Sequence, residues 1–161
     1  MQRIRYQILI KMEESHPKIL PPHVAIGSLI VVIILHYLFP TPLISKPFNL
    51  LGILFFAGGL FVLFWSFGLF KKKDTPILPG QKPTALVIDG SYKFTRNPMY
   101  LGVATALLGV AIYLGDALAF LAPIVFFVFV SFKFIPKEEK LMEKLFGKGY
   151  INYKKRVRRW L

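Results

Sequence analysis

Long apolar runs separated by short polar links are the feature that most constrains the fold of this chain. Hydrophobic residues make up 55% of the 161 residues, and the mean hydropathy is +0.54. The run from Met99 to Ile135 is too long for one membrane span, which needs about 20 residues, and Gly115-Asp116 divides it. The sequence therefore predicts an all-α, polytopic membrane protein with one domain over residues 1–161. Its four predicted transmembrane helices cover residues 23–39, 48–70, 100–114 and 117–134.

Basic residues are gathered in alternate polar segments. Of the 21 Lys and Arg residues, ten lie from Lys133 to Arg159, six from Lys71 to Arg96 and four in the first 18 residues, while Lys46 stands alone. Such alternation is the positive-inside pattern of membrane proteins. The net charge of +13 therefore indicates a membrane surface, and no nucleic-acid partner is expected.

The same pattern predicts the orientation of the helices. The links 40–47 and Gly115-Asp116 carry little positive charge, whereas the leader 1–20 and the loop 75–98 belong to the basic-rich side. Positive charge is retained in the cytoplasm. We therefore expect a multi-pass protein whose two termini and central loop are cytoplasmic.

Residues 136–161 form a basic amphipathic segment. In residues 137–146 the apolar side chains share one helical stripe, and Gly147-Lys148-Gly149 interrupts the pattern. A second predicted helix, Tyr150–Leu161, places aromatic residues on one face and basic residues around the rest. This arrangement predicts an interfacial helix that lies on anionic lipid.

A polar cluster, Arg96-Asn97-Pro98, stands where the chain enters the third apolar run. Asn97 can serve as the helix N-cap and Pro98 as the first helical residue, which explains both without a functional role. Arg96 is left over. At the mouth of a helical bundle, such a cluster is where a soluble cofactor could meet a lipid-dissolved substrate.

Two acidic residues, Glu138-Glu139, follow the fourth predicted span. A carboxylate near the membrane is costly unless it is paired, so one of them could hold an ammonium group of a ligand. Alternatively, both lie in the first turn of a helix that begins after Pro136, where they would favour the helix dipole. From the pattern alone, this capping interpretation is favoured.

Other polar or small residues suggest structural roles. His36 is expected to form an interior hydrogen bond, and Asp116 is expected to cap the fourth helix. Gly102, Ala106 and Gly109 form a small-residue stripe that allows a neighbouring helix to approach closely. The chain has no cysteine and no zinc-type spacing of ligands, so no metal site is expected.

Two groups of motifs together resemble the isoprenylcysteine carboxyl methyltransferase and phospholipid methyltransferase superfamily. The first comprises residues 84–92 and the run Arg96–Gly102. The second is a C-terminal signature that comprises Glu138-Glu139-x-Leu141, Phe146-Gly147-x-x-Tyr150-x-x-Tyr153, Val157 and Arg159. The resemblance covers about half of the chain, from Thr75 onward.

The resemblance implies an S-adenosylmethionine-dependent methyltransferase whose cofactor lies at the cytoplasmic face. It implies polar positioning roles at the reaction site for Arg96 and Glu138. The cofactor-binding residues that it implies are Leu86, Val87, Tyr92, Asn97, Pro98, Met99, Tyr100, Glu138 and Glu139. A carboxylate suits the cofactor's ammonium group, an arginine suits its carboxylate and aromatic faces suit its sulfonium.

The chain departs from the carboxyl methyltransferases of this superfamily at two positions. They usually have histidine where this chain has Asn97, and arginine where it has Phe134. Lys133 would point about 100° away around a helix and is a poor replacement. Three functions therefore stay open: carboxyl methylation of a lipophilic or lipidated acceptor, N-methylation of a phospholipid headgroup, and a non-catalytic scaffold whose basic tail binds lipid.

Overall fold

The structure, a computed structural model, describes residues 20–76 and 82–161. The predicted leader, apart from Leu20, and residues 77–81 of the predicted loop lie outside the described residues. Within them the chain is helical and contains no β-strand, which confirms the all-α prediction. The α-helices are α1 (Pro21–Leu38), α2 (Leu51–Lys72), α3 (Pro98–Leu114), α4 (Leu121–Phe129), α5 (Ile135–Phe146) and α6 (Lys148–Arg156).

Three helical stretches are long and apolar enough to cross a membrane, namely Pro21–Leu38, Phe48–Lys72 and Ala117–Phe146. Helix α3 is apolar but has only 17 residues. Large hydrophobic side chains on α1, α2 and α4 are exposed, as expected where helices face lipid. The four predicted spans therefore correspond to three long apolar helices and one shorter one.

The last span does not end near Phe134, where the sequence predicts its end. A 3₁₀ turn (Ala117–Phe120), α4, a π turn (Val130–Phe134) and α5 form one continuous helix. The wider π turn directly precedes Pro136, which has no N–H to donate, so the helix passes the proline without ending.

Helices α2 and α3 pack through glycines. A Cβ atom added at Gly102 would lie 2.7 Å from the carbonyl oxygen of Gly59 and 2.8 Å from the backbone nitrogen of Leu63. Gly109 and Gly52 make a second close approach of the same kind. The predicted small-residue stripe on α3 is therefore the surface on which α2 packs.

Helices α3 and α4 form the centre of the bundle, with α1 packed on α4 and α2 on α3. The buried core joins Val32 of α1, Leu107 of α3 and Phe126 of α4 to the start of α5. This arrangement places the first residues of α1 and α3 and the last residues of α2 at the same end of the bundle as α5.

The opposite end is closed by the α1–α2 link and the turn between α3 and α4. The backbone N–H groups of Leu43 and Ile44 donate to the carbonyl of Gly115 over 2.7 and 2.9 Å. The buried Asp116 carboxylate accepts the Thr41 N–H over 3.1 Å and contacts His36 Nδ1. His36 thus has the predicted interior partner. Asp116 stands at the N-cap position of the following turn, but its side chain makes no capping hydrogen bond.

Helix α6 ends at Arg156, five residues before the predicted end at Leu161. Val157 is extended, with φ −119° and ψ 131°. The chain turns there because its backbone carbonyls bind the turn before α3, as described below. Residues 157–161 are therefore packed against the bundle and do not extend the interfacial helix.

Candidate active site

A cavity of about 460 Å³ lies at the end of the bundle that holds the start of α3. Its walls come from the first turns of α1, the last turns of α2, the loop before α3, and α5 and α6. The volume is within the range of about 300–1,000 Å³ usual for small-molecule sites. The cavity is lined by all but one of the predicted site residues: Leu86, Val87, Tyr92, Arg96, Asn97, Met99, Tyr100, Glu138 and Glu139.

Pro98 is the predicted site residue that does not line the cavity. It is buried and occupies the first turn of α3, where its missing N–H costs no hydrogen bond. Its fixed backbone starts the helix, so it places Met99 and Tyr100 at the cavity wall.

Glu138 faces the cavity without a cationic partner. Its Oε1 accepts a hydrogen bond from the Tyr100 hydroxyl over 2.7 Å, and within the described residues it forms no salt bridge. The capping interpretation favoured by the sequence is wrong, because the helix continues through Phe134 and has no free N-terminus near Pro136. Glu138 is thus available to bind a cation in the cavity.

Glu139 is buried between two arginines. Arg159 donates from Nη2 to Oε2 over 2.8 Å and from Nε to Oε1 over 3.2 Å. Arg96 Nη1 lies 3.0 Å from Oε1, but its N–H is not directed at that oxygen. Arg96 Nε and Nη1 therefore have no hydrogen-bond partner among the described residues, although the side chain is only 10% exposed.

Asn97 occupies the predicted N-cap position of α3, but its side chain has a different partner. Its side chain makes no capping hydrogen bond, and Nδ2 instead donates to the carbonyl of Arg159 over 2.9 Å. The Asn97 N–H donates to Thr95 Oγ1 over 3.2 Å. The residue is therefore committed to the C-terminal segment even though it also lines the cavity.

Aromatic side chains form much of the remaining wall. The rings of Phe70 and Tyr92 lie 5.5 Å apart, and those of Tyr150 and Tyr153 lie 6.0 Å apart. The Tyr153 hydroxyl donates to the carbonyl of Tyr92 over 2.7 Å. Of these four, only Tyr92 was predicted as a site residue, although the shared face of Tyr150 and Tyr153 was visible in the helical pattern.

The phenol groups of Tyr92, Tyr150 and Tyr153 stay neutral at physiological pH. Burial, reinforced by the charge of Glu139, raises the pKa of Tyr150 to about 12, although the Arg96 guanidinium opposes the shift. Burial also raises the pKa values of Tyr92 and Tyr153. The wall therefore offers neutral aromatic faces, which attract a cation, and holds no tyrosinate base.

The apolar part of the lining was not among the predicted site residues. Pro21, Ala25 and Ile26 of α1 and Phe67 of α2 line the cavity. Ile26 is 58% exposed and Phe67 is 45% exposed, and both belong to helices that are long and apolar enough to cross a membrane. The cavity is therefore open between α1 and α2.

Within the described residues, no group of three or more His, Cys, Asp or Glu side chains is placed to hold a metal ion. The chemistry of the cavity rests instead on one unpaired carboxylate, one incompletely paired guanidinium and neutral aromatic rings.

These features define an integral membrane protein with a polar and aromatic cavity at one end of its helical bundle. Residues 48–149, more than half of the chain, match the family of phospholipid methyltransferases. The chain belongs to this family and is a membrane methyltransferase of the phospholipid and isoprenylcysteine class. Methyltransferases of the family generally use S-adenosylmethionine.

A protein of Haemophilus influenzae (strain ATCC 51907 / DSM 11121 / KW20 / Rd), described as uncharacterized, is 41% identical to this chain over 63 residues. Those residues are 39% of this chain and the whole of that protein. No solved structure matches the chain.

Proposed function

We propose that the chain is an S-adenosylmethionine-dependent methyltransferase that takes a lipophilic acceptor from the bilayer. The observation that carries the proposal is the pair of unsatisfied charged groups in one cavity. Among residues 20–76 and 82–161, the Glu138 carboxylate has no cationic partner, and Arg96 Nε and Nη1 have no acceptor. An amino acid moiety, with one ammonium and one carboxylate, complements both.

The residues present fit this cofactor. Glu138 would hold the ammonium group, and Arg96 would hold the carboxylate through charge-assisted hydrogen bonds. Neutral rings such as those of Tyr92 and Tyr150 suit a sulfonium ion. When bound, S-adenosylmethionine supplies an electrophilic methyl group on that sulfonium.

The contribution of the protein is then positioning and the exclusion of water. The Tyr100 hydroxyl fixes the Glu138 carboxylate, and Glu139 restrains the Arg96 guanidinium. Methyl transfer consumes the charge of the sulfonium, so a cavity with apolar walls does not oppose it. We assign no general base.

The opening between α1 and α2 is the proposed route of the acceptor. Ala25, Ile26 and Phe67 would contact an acyl or prenyl chain, while the reacting group enters toward Tyr100 and Glu138. A lipid could thus reach the site without leaving the membrane.

An amine headgroup is favoured over a carboxylate as the reacting group of the acceptor. Arg96 is the only Lys or Arg among the described residues that line the cavity, and the cofactor carboxylate would use it. Phe134, which replaces the arginine of the carboxyl methyltransferases, is 7% exposed and packs on Phe129. An acceptor carboxylate would therefore have no cation of its own. Carboxyl methylation of a lipidated acceptor is the second candidate.

The cavity and both termini are proposed to be cytoplasmic. The cavity end of the bundle carries Lys71, Lys72 and Lys93 as well as the basic residues of α5 and α6, whereas the opposite end carries Lys46. This asymmetry follows the positive-inside pattern. Anionic lipid is the proposed partner of the exposed basic residues on α6.

Calorimetry with S-adenosylmethionine in detergent tests the cofactor assignment. Glu138→Gln keeps the shape of the side chain but removes its charge, and we expect binding to weaken by about 1.5–3 kcal/mol. Glu143→Gln is the matched control on α5, because Glu143 pairs with Lys154 outside the cavity. No heat with the wild type would contradict the cofactor assignment, and equal affinities of Glu138→Gln and the wild type would contradict the role proposed for Glu138.

A panel of acceptors then separates the two reactions. Transfer of radiolabelled methyl groups to an ethanolamine-type phospholipid supports N-methylation. Transfer to a prenylcysteine carboxylate yields a base-labile ester and supports the second candidate.

A further inference from the structure

We propose that residues Val157–Leu161 act as a strap that keeps the Arg96 guanidinium available to a ligand, with Arg159 as the positioning residue. The strap is defined here as the extended segment after α6. The identity of the ligand rests on the proposed function. The strap itself rests on contacts between the segment and the turn before α3.

The backbone of the strap is bound to that turn at three points. The Arg96 N–H donates to the carbonyl of Arg158 over 3.0 Å. Thr95 Oγ1 and Asn97 Nδ2 both donate to the carbonyl of Arg159, over 3.0 and 2.9 Å. The residues on both sides of Arg96, and Arg96 itself, are thus held by the strap.

The far end of the strap is anchored by apolar packing. The rings of Trp160 and Phe127 lie 4.5 Å apart, and Trp160 packs against the buried core of the bundle. The strap is therefore fixed at both ends. The Arg159 side chain extends from it to Glu139 at the cavity wall.

Glu139 connects the strap to Arg96. Its carboxylate is 8% exposed and accepts hydrogen bonds from Arg159 at both oxygens. A carboxylate and a guanidinium prefer a two-point pair, and Arg159 already occupies that geometry. Arg96 is left with a single ion contact of 3.0 Å that lacks hydrogen-bond alignment.

Arg159 thereby prevents Glu139 from taking both donors of Arg96. Without Arg159, the Glu139 carboxylate is free to form the two-point pair with Arg96. The guanidinium would then have fewer N–H groups left for the carboxylate of a ligand. The strap is a positioning device because it acts through Glu139 and touches no reacting atom.

Two probes separate this role from a general stabilising role. S-Adenosylmethionine carries the carboxylate that Arg96 would bind, and decarboxylated S-adenosylmethionine lacks it. By calorimetry in detergent, we expect Arg159→Ala to weaken binding of the first probe by about tenfold, the effect of a weakened charge-assisted hydrogen bond. Its affinity for the second probe should equal that of the wild type.

Two further variants complete the test. Arg156→Ala is the matched control, since it removes the same charge from an exposed side chain outside the strap with no ion pair among the described residues. It should leave both affinities unchanged. Asn97→Ala removes a strap contact without a change in charge, and should weaken binding of S-adenosylmethionine in the same selective way but less.

Equal weakening for both probes in Arg159→Ala would show a structural role and overturn the proposal, as would unchanged affinity for S-adenosylmethionine. If Arg159→Ala does not fold, the same criterion applies to Asn97→Ala. If the wild type binds neither probe, the proposed function fails and the strap has no ligand to serve. If the wild type binds S-adenosylmethionine but Arg159→Ala does not weaken it selectively, the strap proposal fails and the proposed function stands.

Discussion

A single methyl group at Gly59 should separate α2 from α3 and destabilise the protein. The Cβ of Gly59→Ala would lie 2.5 Å from the Gly102 carbonyl oxygen and closer still to the Ala106 backbone nitrogen, whereas ordinary contacts are 3.4–4 Å. Both atoms belong to a helix backbone and cannot move alone, so the helices must shift by about 1 Å. Overpacking of this kind costs about 1–3 kcal/mol.

The measurement is thermal unfolding in detergent, followed by tryptophan fluorescence. A cost of about 1–3 kcal/mol corresponds to a fall in the unfolding temperature of about 2–12 °C for a chain of this length. Because α3 carries Tyr100 at the cavity wall, we also expect weaker binding of S-adenosylmethionine.

The adjacent residue provides the control. A Cβ atom at Gly58 meets nothing within 4 Å, and Gly58→Ala makes the same change in the same helix. Both variants gain up to about 1 kcal/mol of helix propensity, so the difference between them reports the contact with α3. If Gly59→Ala and Gly58→Ala unfold at the same temperature, the close approach of α2 and α3 is refuted.

Three other predictions concern the ends of the bundle. Asp116→Ala should destabilise the protein by about 1–3 kcal/mol, because it removes the buried acceptor of the Thr41 N–H. Unchanged unfolding would contradict this. Cofactor affinity at the far end should not change. The chain has no cysteine, so a single introduced cysteine reports the side of the membrane on which it lies. A membrane-impermeant maleimide should label Lys46→Cys in intact cells and Lys148→Cys only after permeabilisation. The reverse result would invert the proposed topology. Reconstitution with phosphatidylglycerol should make the protein more stable to unfolding than reconstitution with phosphatidylcholine. At low salt, Lys155→Glu should reduce this difference in unfolding free energy by about 1 kcal/mol or more. Equal stability of the wild type in both lipids would refute the anionic lipid site.

Sequence patterns predicted the helices and most of the polar cavity wall for physical reasons that are local. The apolar runs are long enough to mark the spans, and small residues at helical spacing marked the face of α3 that meets α2. Arg96, Tyr100 and Glu138 were found together because each belongs to a motif shared with known methyltransferases. The three residues line one cavity, and their roles toward a cofactor stay a prediction.

The roles of Glu138 and Asn97 could not be derived from local pattern. A helix start after Pro136 would cap well with Glu138. The π turn before the proline keeps the helix continuous, and neither the apolar periodicity nor the proline indicates such a turn. Asn97 is a good N-cap residue, yet its partner is the Arg159 carbonyl, 62 residues away along the chain. Such a contact depends on the path of the C-terminal segment. Helical periodicity predicted a helix to Leu161, whereas the chain leaves the helix after Arg156.

The apolar lining escaped prediction for a different reason. Ala25 and Ile26 lie in a helix whose outward residues face lipid, and nothing in a uniformly apolar helix distinguishes a cavity wall from a lipid contact. The structure distinguishes them because α1 packs on α4 and α2 on α3, which leaves the cavity open between α1 and α2.

The helices are joined more firmly at one end of the bundle than at the other. This difference suits a methyltransferase that binds one soluble ligand and one membrane ligand. At the far end, backbone hydrogen bonds tie the α1–α2 link directly to Gly115. At the cavity end, the polar wall is held by the strap, while α1 contributes apolar side chains and, within the part of the chain that the structure describes, has no hydrogen bond to α2. A polar cofactor would therefore meet a fixed charge pattern at Arg96 and Glu138. The acceptor would meet an apolar gap that can adapt to lipid chains, so one cavity could separate its two ligands by polarity.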